Sequence, residues 1–152
     1  MQGSRKNAKG SVIQLHSGER FSRDNISCMF APGNMMNLIT NTLDELAVAI
    51  RRCRKCRLYS KRLHAVPGEG TPDADVMLVG EAPGAVEDRT GRPFMGPAGK
   101  FLNQLFTENE IRRSAVFLTS CVKCRPPENR NPRSRELDTC ATTWLLPQID
   151  RI

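Results

Sequence analysis

Cys53 and Cys56 lie three positions apart in "CRKC", Cys121 and Cys124 repeat that spacing in "CVKC", and Cys140 follows sixteen positions after Cys124. A C-x-x-C lets two sulfurs converge on one metal centre, and four thiolates satisfy either a tetrahedral zinc or a four-iron cluster. Two completions of the set are open. Cys124 with Cys140 takes one ligand just after a strand and one from a helix, whereas Cys121 with Cys124 restores the double C-x-x-C of a zinc ribbon. Plain burial of thiols competes well for a single cysteine and poorly for four. A thioredoxin-like pair at Cys53 and Cys56 is disfavoured, because that motif follows a strand and opens a helix. Cys28 falls in the N-terminal stretch and is read as incidental. Spacing alone leaves zinc and iron–sulfur equally open.

A second constellation follows the apolar run "DVMLVG" at 75–80. "VGEAPG" has the position of a dinucleotide loop but lacks G-x-G-x-x-G, and no G-x-x-x-x-G-K-[ST] occurs, so nucleotide cofactors gain little support. The loop offers backbone amides near Gly80 and Gly84, carboxylates at Glu81, Glu87 and Asp88, and one ring at Phe94. Against a ligand role stand a solvated loop for the acids and a core plug for the ring. A carboxylate beside a stacking ring suits a planar heterocycle.

The elements that must position these groups follow from periodicity. Thr42 and Glu45 can form a capping box for a helix whose Leu43, Leu46, Ala47 and Ile50 share a face and which delivers the chain to "CRKC". Residues 75–80 and 114–121 read as short buried parallel strands. The long Gly/Pro loop at 80–99 lies between them, followed by a helix with Phe101, Leu102, Leu105 and Phe106 on one face. Ser134 can cap a last helix that carries Leu137, Cys140, Ala141, Trp144 and Leu145 and ends at Pro147. This order is α/β with a parallel sheet. Two strands leave open edges, so the sequence reads as the N-terminal part of a larger domain.

With 152 residues there is room for one ordinary domain. Residues 1–34 are polar and aperiodic and read as a disordered leader, with the domain at 35–152 and Met35 or Met36 as alternative starts. No apolar run approaches the roughly 20 residues of a membrane span, and no signal peptide is evident, so a cytoplasmic, nucleoid-associated protein is expected. Six cysteines in such a reducing compartment argue against a disulfide framework. The net charge of +7 favours a polyanionic partner, and the basic loop with Arg125 and Arg130 is the expected phosphate contact.

Several stretches together resemble the family 4 (iron–sulfur) uracil-DNA glycosylases, whose members are also called phage DNA polymerase-related proteins. They are "CRKCRL", "VPGEGTPDADVMLVGEAPG", "EDRTGRPFMGPAGKFLNQLF", "VKCRPPENRNP" and "CATTWLLPQI", in order across about residues 42–152. The resemblance implies an α/β/α sandwich around a parallel sheet, here without its C-terminal strands. It also implies a [4Fe-4S] cluster on Cys53, Cys56, Cys124 and Cys140. The implied activity is excision of uracil from DNA by N-glycosidic hydrolysis, as in base-excision repair, by a monomer when complete. The uracil site would take Gly80, Glu81 and Ala82, with Phe94 stacking and Glu87 contributing. Two departures stand out. Ser120 occupies the place of a family asparagine that pairs with the uracil edge, and the family's H-P motif has no counterpart, since His16 and His64 lie in other segments. Weak or absent activity is therefore expected. The competing reading is a non-catalytic, DNA-binding iron–sulfur module, and a degenerate product that never folds stably is a third.

Overall fold

The computed structural model describes residues 42–152. The expected leader, with His16 and Cys28, lies outside them, as do residues 35–41.

Helix α1 (Leu43–Arg52) starts at the expected capping box: Glu45 N–H donates to Thr42 Oγ1 (3.2 Å) and Thr42 N–H to Glu45 Oε2 (3.1 Å). Leu46 and Ile50 are buried, and acids in the first turn with Arg51 and Arg52 in the last suit the helix dipole. Cys53 then turns to extended backbone, and a single 3₁₀ turn (Arg57–Ser60) buries Leu58. Strands β1 (Met77–Gly80) and β2 (Phe117–Ser120) pair in parallel, in register from Met77 with Phe117 to Gly80 with Ser120. Helices α2 (Ala85–Thr90) and α3 (Pro97–Glu108) form the crossover between them. The architecture is α/β.

Both strands are shorter than their apolar runs suggest. The far edge of β2 is also not open, because residues 66–69 lie along it: Glu69 and Leu118 exchange backbone hydrogen bonds of 2.9 and 2.8 Å, and Val66 N–H donates to Lys123 O. β2 is therefore interior, with all four residues buried. Leu78 and Leu118 pack with Leu102 and Phe106 of α3 on one face. Thr119 points to the opposite face, as alternation along a strand requires, and meets Gln148 there. Helices thus cover both faces. A second core joins Ile50, Leu58, Ala65, Val122, Cys124 and Cys140. On α3 the expected four-residue face narrows to Leu102 and Phe106, while Phe101 is 62% exposed.

The last helix departs most from expectation. Ser134 is its first helical residue rather than its cap, and Arg133 N–H donates to Glu136 Oε2 (2.8 Å) at the cap position. Helix α4 (Ser134–Cys140) widens into a π turn over Ala141–Leu145 and resumes as α5 (Leu146–Ile149). Pro147 does not stop the helix. Its missing N–H and its ring would clash with a normal α ladder, and the wider turn, closed by Leu146 N–H to Ala141 O, lies just before it.

Arg130 grips Glu136 through two nitrogens, at 2.8 and 2.9 Å, and with help from the Arg133 N–H holds its carboxyl down to about 2 from an ordinary 4.5. The unfolded chain takes up this proton first, so the stabilisation is complete above about pH 4.5 and is lost as pH falls toward about 2. Glu136→Gln should lower the urea midpoint at pH 7, and its gap from the parent should close on acidification through that window. A gap independent of pH would rule the ion pair out as its source.

Candidate functional site

The level ends of β1 and β2 set Gly80 beside Ser120. A Cβ on Gly80 would come within 3.1 Å of the Phe94 ring and 3.5 Å of Ser120 Oγ, so this glycine lets the ring and the hydroxyl share the space above the strand ends. Phe94 is held in the left-handed region (φ 52°), and its carbonyl lies so close over Gly99 that any Cβ there would collide with it. This strained backbone is fixed from outside. Arg113 donates to Pro93 O (2.7 Å), to Glu69 Oε1 (2.7 Å) and to Asn103 Oδ1 (2.8 Å), while Arg92 also reaches Glu69 (2.8 Å). Burial raises the Glu69 carboxyl, but these two arginines outweigh it and hold it below its usual range.

Glu87, expected to contribute at the uracil site, sits on α2 with its carboxylate already occupied. Oε1 accepts from Met95 (2.8 Å) and Gly96 (2.6 Å) backbone N–H groups, and Oε2 from Gly84 N–H (3.1 Å). Burial pushes its pKa up, yet these amides more than compensate and hold it below the normal value. Glu87 thus ties both ends of the loop that carries Phe94. Glu81 is exposed, and among the described residues neither its carboxylate nor Ser120 Oγ has a partner. Ala82 is half-buried against the second core.

Beyond Ser120 the chain enters the cysteine cluster. Cys53, Cys56, Cys124 and Cys140 line one pocket with Lys55, Lys123, Thr139 and Trp144, while Cys121 does not border it. Among the described residues no three His, Cys, Asp or Glu side chains gather as ligands of one ion. The sulfurs are surrounded by donors: Trp144 Nε1 (3.3 Å) and Lys55 N–H (3.5 Å) reach Cys53, Arg62 Nη1 reaches Cys124 (2.9 Å), and Lys123 N–H reaches Cys140 (3.3 Å). Burial pushes Cys140 up to about 12, against the pull of Lys123, and raises Cys124 despite Arg62. Such thiols stay protonated at neutral pH until a cation displaces the protons, while the N–H donors favour the thiolate form that binds metal. The donor set fits a thiolate-held metal centre.

Lys123 joins the two regions. Its Nζ, buried and lowered to about 8 by desolvation, donates to Thr119 Oγ1 (2.6 Å), Ser120 O (2.8 Å) and Gln148 Oε1 (2.6 Å). Sequence reasoning missed Lys123, Arg62 and Trp144; of these only Trp144, one turn after Cys140, carried a positional signal. The two arginines expected to meet phosphate are engaged internally. Arg130 is spent on Glu136 and Asn131 O, and Arg125 Nε donates to Asn129 Oδ1 (2.8 Å). Glu87→Gln keeps the size of the side chain but loses its charge and places an NH₂ among amide donors. It should destabilise the fold by about 2 kcal/mol after allowance for partial exposure, read as a shift in urea midpoint. A midpoint within error of the parent would rule out this role.

Residues 67–152 match the family described as the uracil DNA glycosylase superfamily. The type-4 uracil-DNA glycosylase of Sulfurisphaera tokodaii is 48% identical over 113 residues, covering 74% of this chain and 51% of that protein. That of Thermotoga maritima is 46% identical over 110 residues, covering 72% and 57% respectively. The type-5 uracil-DNA glycosylase of Thermus thermophilus is 41% identical over 104 residues, covering 55% and 47%. The chain spans about half the length of the curated relatives it matches. With the family match covering more than half of its residues, the chain belongs to the uracil DNA glycosylase superfamily.

Proposed function

We propose that this chain carries the uracil-recognition face and the cluster-binding residues of a type-4 uracil-DNA glycosylase acting in DNA repair. The observation that supports this most is the joint arrangement on two level strand ends: Gly80, Phe94 and Ser120 around one space, and a four-cysteine pocket entered directly from the same strand. Cys53, Cys56, Cys124 and Cys140 would hold a [4Fe-4S] cluster. Sulfurs spaced around a pocket suit several metal atoms with one protein sulfur each. Such a cluster would supply cross-linking of α1, the exit of β2 and α4, and the hydrolysis would rest on other residues.

Uracil flipped from DNA would stack on Phe94, with Ser120 Oγ at its edge and the backbone of Gly80, Glu81 and Ala82 against it. Breaking the N-glycosidic bond develops positive charge on the sugar and negative charge on the departing base. The unpartnered Glu81 carboxylate is suited to stabilising the former or orienting water. Glu87 contributes by fixing the loop. A single hydroxyl cannot present the paired donor and acceptor of an amide, so Ser120 should discriminate poorly between uracil and cytosine. That residue favours a second reading, a DNA-binding iron–sulfur module without catalysis.

Anaerobically purified chain should contain about four irons and absorb visible light; a colourless, zinc-loaded protein overturns the cluster. Uracil release from single-stranded oligonucleotides should be measurable and should favour uracil over cytosine at least ~10-fold more strongly in Ser120→Asn. Iron-loaded protein that binds DNA but releases no uracil, in either form, would establish the second reading.

A further inference from the structure

The segment "RRCRKCRLYSKR" (51–62) holds seven basic residues and no acidic one. Its Arg51, Arg54, Tyr59 and Arg62 line a groove of about 550 Å³ together with His64 and Arg92, and no carboxylate lines it. The charges divide into two kinds. Arg62 is committed to Cys124 Sγ and Arg51 O, and Arg92 to Glu69, so these two build the wall. Arg51 and Arg54 have no acidic partner among the described residues. Tyr59 is 42% exposed with the Arg54 guanidinium 6.0 Å from its ring centre.

The groove is built rather than incidental. Asp88 of α2 is buried, and its Oδ1 accepts from Leu63 N–H (2.9 Å) and His64 N–H (3.4 Å), while His64 Nδ1 lies 2.9 Å from Asp88 O. Gly91 and Arg92, which also line the groove, belong to the loop that carries Phe94. Arg62, which donates to Cys124 Sγ, links the groove to the cysteine pocket, and Arg92 links it to the segment that carries Phe94.

We propose that this groove, and not the Arg125–Arg130 loop, binds the sugar–phosphate backbone of single-stranded DNA beside the target base, with Arg51 and Arg54 on phosphates and Tyr59 as a platform for one flanking base. Guanidiniums without an acidic partner interleaved with an exposed ring are what sequence-independent binding to single strands requires. The inference rests on the uracil-DNA reading for its ligand but needs no catalysis.

The test is fluorescence anisotropy of the full chain with a labelled, uracil-free single-stranded oligonucleotide across a salt series. Arg51→Ala/Arg54→Ala should weaken binding about 10-fold and flatten the slope of log K against log salt by about 1.4, roughly 0.7 for each phosphate no longer neutralised. Tyr59→Ala should weaken binding about 10-fold with the slope unchanged, and Tyr59→Phe should restore it. An unchanged slope in the double variant, or no binding by the parent chain, overturns the proposal. Equal losses with heparin and none from Tyr59→Ala would make the groove a general polyanion trap, which also overturns it. Groove-dependent DNA binding without uracil release would leave this proposal standing while the catalytic reading fails.

Discussion

A single buried lysine holds the strand ends and the cysteine pocket of this molecule in one frame. Lys123 donates from its ammonium to Thr119, Ser120 and Gln148, from its backbone N–H to Cys140 Sγ, and accepts at its carbonyl from Val66. The strand end, the cysteine pocket, the segment along the far edge of β2 and helix α5 all meet at this residue. An ammonium so far from water is tolerated because every one of its three protons has an oxygen acceptor. The cost of desolvation appears instead as its lowered affinity for the third proton.

The loop bearing Phe94 depends on a different device, two carboxylates used as clamps. Glu87 gathers backbone amides from both ends of the segment, and Glu69 gathers two arginines, one of which also grips Pro93 O. Together they hold a phenylalanine in a backbone conformation that side chains seldom adopt. Preorganisation of this kind places the ring before any ligand arrives, so that ordering of the loop is not charged against binding.

Much of this was legible in the residue pattern. The capping box of α1, the two parallel strands and the order of elements follow from periodicity and turn chemistry, and Cys53, Cys56, Cys124 and Cys140 line one pocket. Long-range polar commitments were not legible. Nothing local announces that Arg130 is neutralised by Glu136, that Glu87 faces backbone rather than solvent, or that Arg62 turns inward to a sulfur. Charge in a sequence is countable, but whether a charge is available is decided by tertiary pairing. The covered edge of β2 escapes the pattern for a related reason, since the segment at 66–69 pairs through backbone alone and carries no strand periodicity.

The π turn at Ala141–Leu145 fixes how the chain length of this region can vary. It sits between Cys140, at the cysteine pocket, and Gln148, which receives Lys123, so the two contacts are set in phase by absorbing one surplus residue. Removing one residue from the turn would restore an ordinary α winding with the segment after it still in phase, whereas winding all the residues present as α-helix would rotate that segment by about 100°, one residue's share of a helical turn. In that second case Gln148 would face away from Lys123 while Cys140 stayed in place. The wider turn thus absorbs one residue of chain length and leaves the sulfur pocket and the sheet on a shared face of the helix.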